Sequence, residues 1–244
     1  MITVLVIILV AILVAIHIYR IVDSDTLEKC LEKSFDESPV PDDIVVRPIK
    51  YDDTLRVSRL ECVKPDWKRV LNAARRTVGK KPIDKEPSIE FKKEILLAEH
   101  SPIRLLEYDF TWEDIKQWVT VHLVRHHEGC EKFVHTQRTD RNELLKNLNR
   151  DDLPQGLLND MDMTCNAQSF INISRKRLCK CASKETRQAW ELVIEYLKEV
   201  DPILAEKCVP ECVYRGFCPE KKRCCGYVNT KAYQKRLIKY RSFE

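Results

Sequence analysis

Apolar positions change their period several times along the chain, and each change marks an element. Ile2–Tyr19 is apolar almost throughout, with no Asp, Glu, Lys or Arg in 18 residues. As a helix it measures about 27 Å, enough to cross the hydrocarbon core of a bilayer. A cleaved signal peptide is the competing reading. No basic residue precedes the run, however, and Arg20-Ile21-Val22 follows it, so residues 1–22 are expected to form an uncleaved hydrophobic (transmembrane) anchor helix. Arg20, Lys29 and Lys33 on its C-terminal flank put the following chain on the cytoplasmic face of a membrane. Without a true anchor the chain is cytoplasmic. Residues 23–43 are an acidic linker closing in Ser38–Asp43, SPVPDD.

Shorter periods follow. Ile44–Tyr51 and Arg56–Val63 are strand-like, the second with Val57, Arg59 and Glu61 alternating against Ser58, Leu60 and Cys62. Pro65-Asp66 opens a helix with Trp67, Val70, Leu71 and Ala74 on its apolar face, residues 79–87 read as a polar loop, and a short helix spans Phe91–Ala98. Leu106, Tyr108 and Phe110 alternate as in a strand. Thr111, with Asp114 three residues on, reads as a capping box for a helix that buries Ile115, Trp118, Val119, His122 and Leu123 and delivers Arg125-His126 at its end. A helix over Asn166–Cys181 places Asn166 and Arg177, about three turns apart, on one face with Phe170 and Ile173 between them. Such a strip suits a flat heterocycle with hydrogen-bonding edges; a core-facing helix with a snorkelling Arg is the alternative. Ser183 caps a helix to Val200, with Trp190, Val193, Ile194, Leu197 and Val200 inward, and Lys231–Glu244 reads as a basic, solvated helix. Strands and long helices without βαβ repeats make the fold class α+β, with an antiparallel or mixed sheet.

Composition narrows the class. A chain of 244 residues with 44% hydrophobic positions and five glycines can bury a sizeable core. Net charge is +4, small for this length, and nucleic acid is not expected as a partner. Eleven cysteines cannot all pair within one chain, which favours a reducing compartment and free thiols. Five of them, Cys208, Cys212, Cys218, Cys224 and Cys225, fall within 18 residues. Four such thiols, Cys208, Cys212, Cys218 and Cys224, can hold a structural zinc. The spacing lacks C-x2-C knuckles, so free thiols and disulfides stay open beside the metal.

The densest chemistry lies in Val121–Arg141, VHLVRHHEGCEKFVHTQRTDR. It holds Arg125, Arg138 and Arg141 and four of the six histidines, His122, His126, His127 and His135. Arginine forks suit phosphate or pyrophosphate, and imidazoles add donors and acceptors near neutral pH. A basic, solvated helix end is the plainer account of the same residues.

Placed in order, these residues resemble the flavin-dependent thymidylate synthase family. His100-Ser101-Pro102, a strand ending at Phe110, a helix and then Arg125-His126 are similar to that family's H-x-S/T-P segment, strand, helix and RHRxxSxNExSxRY signature. His127 takes the place of the second Arg, and Thr136-Gln137-Arg138 match S-x-R with one extra residue. Arg150-Asp151-Asp152-Leu153-Pro154 is similar to R-x-x-L-P, and Asn166-Ala167-Gln168-Ser169 with Asn172 and Arg177 to the helix after it. Lys132 and Phe133 stand near the family's Asn-Glu, Thr139 replaces the closing Tyr, and Gln168 replaces an Arg.

The resemblance implies a domain over residues 44–203, followed by a Cys-rich basic tail over 204–244. It implies methylation of dUMP to dTMP, with methylenetetrahydrofolate (a folate) as carbon donor, NADPH-reduced FAD as hydride source and no protein nucleophile. It also implies a homotetramer with sites shared between subunits. Carried over, His100, Ser101, Arg125, His126, His127, Asn166, Gln168 and Asn172 hold FAD. His122, Arg125, Thr136, Gln137, Arg138, Arg150 and Arg177 hold the nucleotide, and Arg177 is catalytic, stabilising charge at N3 of the uracil. A catalytically silent, membrane-tethered relative and a membrane-anchored zinc module are the alternative functions.

Overall fold

The computed structural model describes residues 55–242 apart from 65, 147 and 221. The expected anchor (1–22), the acidic linker (23–43) and the first expected strand (44–51) lie outside the described residues. Among the described residues no helix is long and apolar enough to cross a membrane.

Four strands form one antiparallel sheet: β1 (Arg56–Lys64), β2 (Glu107–Lys116), β3 (Cys130–Val134) and β4 (Leu158–Asn166), in the order β1-β2-β4-β3. The helices are α1 (Trp67–Thr77), α2 (Ile89–Leu97), α3 (Gln117–Leu123), α4 (Ala167–Arg177), α5 (Lys184–Val200), α6 (Pro202–Lys207), α7 (Glu211–Arg215) and α8 (Lys231–Arg241). An α+β fold with an antiparallel sheet therefore stands.

Period two persists further along β2 than expected. Tyr108, Phe110 and Trp112 are all fully buried, and the strand runs through Thr111 to Lys116. Thr111 and Asp114 are thus not a capping box. Thr111 Oγ1 donates instead to Asp162 Oδ1 on β4, and the Asp114 N–H to Asp160 Oδ1 at 3.2 Å. Asp114, at φ +58°, sits where the register slips between Trp112 and Ile115. That bulge turns Ile115 back to the core before α3 begins. A similar slip between Val57 and Arg59 breaks the alternation expected for β1: Val57 is buried, but Leu60 and Cys62 are the next residues to pack inward. Strands β3 and β4 carry too many polar residues to stand out by pattern.

The core is built around an aromatic box. Tyr108, Phe110 and Trp112 of β2 meet Phe170 of α4 and Trp190 of α5, with ring centroids 5.0 to 6.2 Å apart. Edge and tilted pairs of this kind contribute about 0.5–1.5 kcal/mol each beyond burial. The indole donors are satisfied: Trp112 Nε1 donates to Ala189 O at 3.0 Å and Trp190 Nε1 to Ser174 Oγ at 2.9 Å. Helix α5 buries Trp190, Val193, Ile194 and Leu197 as expected, whereas Val200 is exposed at its end. In the tail, Tyr233 and Tyr240 of α8 pack against Val209, Cys212 and Val213 in a smaller cluster.

Tyr108 Oη donates to buried Asp201 Oδ2 at 2.7 Å, while Asp201 Oδ1 accepts the Leu204 N–H and caps α6. Tyr108→Phe removes that donor from a buried carboxylate. It is expected to cost about 1–3 kcal/mol in urea unfolding, and an unchanged midpoint would show the bond to be dispensable.

Candidate functional site

Helix α3 ends at Val124, and Arg125–Gly129 then lies alongside α4 before β3 begins. At its far end Gly129 is fixed by contact. Its φ is +65°, and a Cβ there would collide with Asn166 Nδ2 and Ser169 Oγ. Ser169 Oγ donates to Glu128 O, and the Asn166 N–H donates to Gly129 O at 2.9 Å. At the near end, the last residue of α4 reaches back. Arg177 Nε donates to His126 Nε2 at 2.9 Å, and Arg177 Nη2 donates to His122 O. His122 Nδ1 lies 2.9 Å from Thr186 Oγ1 on α5, and Trp118 packs edge-on against its ring.

These contacts set the charges. Because His126 Nε2 accepts from a guanidinium, the ring is neutral with its proton on Nδ1. Burial first, then the neighbouring Arg177, Lys132 and His127, pull its pKa from 6.5 down to about 4. His122 is lowered by burial and then by Arg177 and Arg125. Arg177 is itself lowered, by burial and by Arg125. Among the described residues neither Arg125 nor Arg177 has a carboxylate in ion-pair contact. Arg125 and His127 are exposed beside this knot. Two guanidiniums near enough to repel one another, without a carboxylate partner, favour an anion beside them.

A second basic group lies past the other end of β3, which spans about 13 Å from Cys130 to Val134. Arg138 Nε and Nη2 bond Asp140, Arg150 lies on a short exposed turn and lowers the same carboxyl, and Thr136 Oγ1 accepts the Arg138 N–H at 3.2 Å. Between them Gln137 Nε2 is buried with no hydrogen-bond partner. An orphaned buried donor is uncommon and calls for an acceptor. The residues expected to hold nucleotide thus fall into two groups within one chain: Arg125, His122 and Arg177 at one end of β3, and Thr136, Gln137, Arg138 and Arg150 at the other.

Helix α4 corrects one expectation and gives three expected residues structural partners. Phe170 and Ile173 are not an open strip for a heterocycle; both are buried in the main core. Asn166 closes β4 and caps α4 by accepting the Ser169 N–H at 3.0 Å. Gln168 and Asn172 belong to a network with Glu99 and Arg175: Gln168 Nε2 donates to Glu99 Oε2 and to Asn172 Oδ1, Arg175 bonds both Glu99 and Asn172, and its guanidinium stacks 3.5 Å over Tyr214, while Arg175 Nε is buried without a hydrogen-bond partner. His100 and Ser101 border a separate cavity with Ala74 and Thr77 of α1 and Phe91 and Ile95 of α2. Glu99, Lys132 and Thr186 act on the expected residues yet carried no sequence signal, because Glu99 and Thr186 meet partners 69 and 64 positions away.

The tail separates the four cysteines expected to hold zinc. Cys208 ends α6 with its thiol in the main core, pushed up to about 12 by burial, away from the others. Cys179, Cys181, Cys212, Cys218, Cys224 and Cys225 instead line one cavity between α4 and the tail. Among the described residues no group of three or more His, Cys, Asp or Glu side chains is arranged to hold a metal ion.

Residues 127–203 match the family model for the thymidylate synthase complementing protein. None of the curated protein sequences matches. Solved structures with the same fold include two of the flavin-dependent thymidylate synthase from Helicobacter pylori, both with FAD and dUMP. Each is 15% identical at a TM-score of 0.50 and covers 64% of this chain and 98% or 99% of its own. The family's sequence signal over 127–203 thus lies on a chain with the fold of the flavin-dependent thymidylate synthases, and the chain is similar to that family in both respects.

Proposed function

We propose that the protein methylates dUMP to dTMP as a flavin-dependent thymidylate synthase, with methylenetetrahydrofolate as carbon donor and NADPH as the source of reducing equivalents. When bound, FAD supplies the hydride. The observation that carries this reading is the Arg177–His126–His122 knot with exposed Arg125, at the edge of the stretch the family model matches. The residues fit the ligands in two respects. The knot lacks a counter-charge, which a pyrophosphate supplies. The orphaned Gln137 Nε2 lies among Thr136, Arg138 and Arg150, where a nucleotide offers an acceptor.

Within that reading each side chain has a task. Arg125 and His127 bind the pyrophosphate, with His100 and Ser101 toward the flavin. Arg138 and Arg150 bind the nucleotide phosphate, and Gln137 donates to one of its acceptors. Arg177 lies against the uracil and stabilises negative charge at N3, which raises electron density at C5. Neutral His126 orients the Arg177 fork without adding a competing charge. In a homotetramer the two basic groups can come from neighbouring subunits. A membrane anchor in residues 1–22 would tether the enzyme at the cytoplasmic face.

One observation favours a second reading, a silent relative that retains ligand binding. Gln168 and Asn172, the counterparts of cofactor-holding residues, are committed to Glu99 and Arg175. Complementation separates the two. Growth of a thymidine-requiring strain without thymidine is the expected result; no growth from well-expressed, FAD-loaded protein supports the silent relative.

Two further outcomes follow from the knot. Arg177→Lys keeps the charge and loses the fork, and is expected to lower kcat about 100-fold or more while FAD absorbance is retained; unchanged kcat would remove Arg177 from the reaction. His126 has a folded pKa of about 4 against 6.5. Its neutral form therefore contributes stability that is complete above pH 6.5 and lost as pH falls toward about 4. Urea midpoints measured across that window are expected to fall with acid in the wild type, and less steeply in His126→Gln. Equal slopes would contradict a buried, neutral His126.

A further inference from the structure

Cys130 opens β3 directly opposite Cys165 near the end of β4. Opposed residues in an antiparallel pair keep their Cα atoms about 4.5–5.5 Å apart, within the span a disulfide bridges. The side chains point at each other: the two Sγ atoms are 2.7 Å apart, nearer than sulfurs rest in non-bonded contact. Both thiols are buried, and 35 positions separate them in sequence. No step of the proposed reaction uses either.

We propose that Cys130 and Cys165 are a redox-modification site, forming a reversible disulfide that fastens the Arg125–Gly129 segment to the start of α4. The location gives the bond its consequence. Cys130 follows Gly129, which is wedged against Asn166 and Ser169, and Cys165 precedes Asn166, the cap of α4. A bond between them ties the two elements that carry His126 and Arg177.

The neighbours differentiate the two sulfurs. Cys130 is lowered chiefly by its bond with Cys165, and further by Ser169 and Lys132, while burial raises Cys165 well above the ordinary thiol range. Cys130 is therefore the first to ionise and the attacking sulfur. It lies on an edge strand, the more accessible position in the sheet. With a disulfide oxidant such as oxidised glutathione, the Cys130 thiolate attacks one sulfur, and a mixed disulfide forms as one glutathione thiolate leaves. Cys165 then loses its proton and attacks the Cys130 sulfur, releasing the second glutathione. Two protein thiols lose two protons and two electrons, and one disulfide oxidant becomes two thiols.

The test uses the full chain in detergent, equilibrated in glutathione buffers from fully reduced to fully oxidised. Free thiols are then alkylated, and the protein is digested and mapped by mass. The expected result is a cross-linked peptide joining residues 130 and 165, reversed by reduced glutathione and absent from Cys130→Ser. The oxidised wild type should also unfold at a higher temperature than the reduced form, a shift that Cys130→Ser and Cys165→Ala both lose. Should either variant fold poorly, the wild-type map alone decides. Cys130 and Cys165 recovered as alkylated thiols in every buffer, or joined only to other cysteines, overturns the proposal.

Discussion

The packing of Phe170 into the aromatic box is the constraint on which the rest of the site depends. Phe170 touches Tyr108, Phe110 and Trp190, and all four rings are fully buried. That anchorage fixes the rotation of α4 about its axis. With Phe170 and Ile173 turned to the sheet, Gln168, Asn172 and Arg175 fall on one flank against Glu99, and Arg177 falls at the end against His126. A helix free to roll would present neither group. Truncating such a ring costs several kcal/mol in comparable cores, a large part of a domain's stability.

Two flanks of one helix therefore have different fates. The Glu99 side is a paired network of carboxylate, guanidinium and amides covered by Tyr214 of the tail. The His126 side is an unneutralised knot of cations and neutral imidazoles. Paired networks hold structure, and uncompensated charge near a surface seeks a ligand. One departure from the family pattern the chain resembles, Gln168 in place of an Arg, falls on the first side.

The sequence carried much of the helical architecture and less of the sheet. Trp67 and Val70 on α1 and Trp190, Val193, Ile194 and Leu197 on α5 recur at helical spacing, so their inward faces were legible. Strand β2 was only half legible, since Thr111 and Asp114 mimic a helix cap while Asp114 in fact occupies a bulge. Strands β3 and β4 went unseen because Glu131, Lys132, Asp160 and Asp162 break up their apolar runs on an open sheet face. In the site, the order of motifs brought Arg177, His126 and His122 to attention, and the fold places them in contact. The roles of Asn166, Gln168 and Phe170 were not legible, because capping, a Glu99 partner and core burial depend on residues far away in sequence. The cysteines were misgrouped for the same reason. Spacing joined Cys208 to the tail, whereas packing joins Cys179 and Cys181 to it.

The central claim is that the knot at the end of α4 serves a nucleotide methylation. Chromatographic measurement of dTMP from purified protein supplied with FAD, NADPH, methylenetetrahydrofolate and dUMP tests it most directly. The account predicts dTMP that disappears when FAD is withheld. Protein that takes up FAD and dUMP yet releases no dTMP would contradict it.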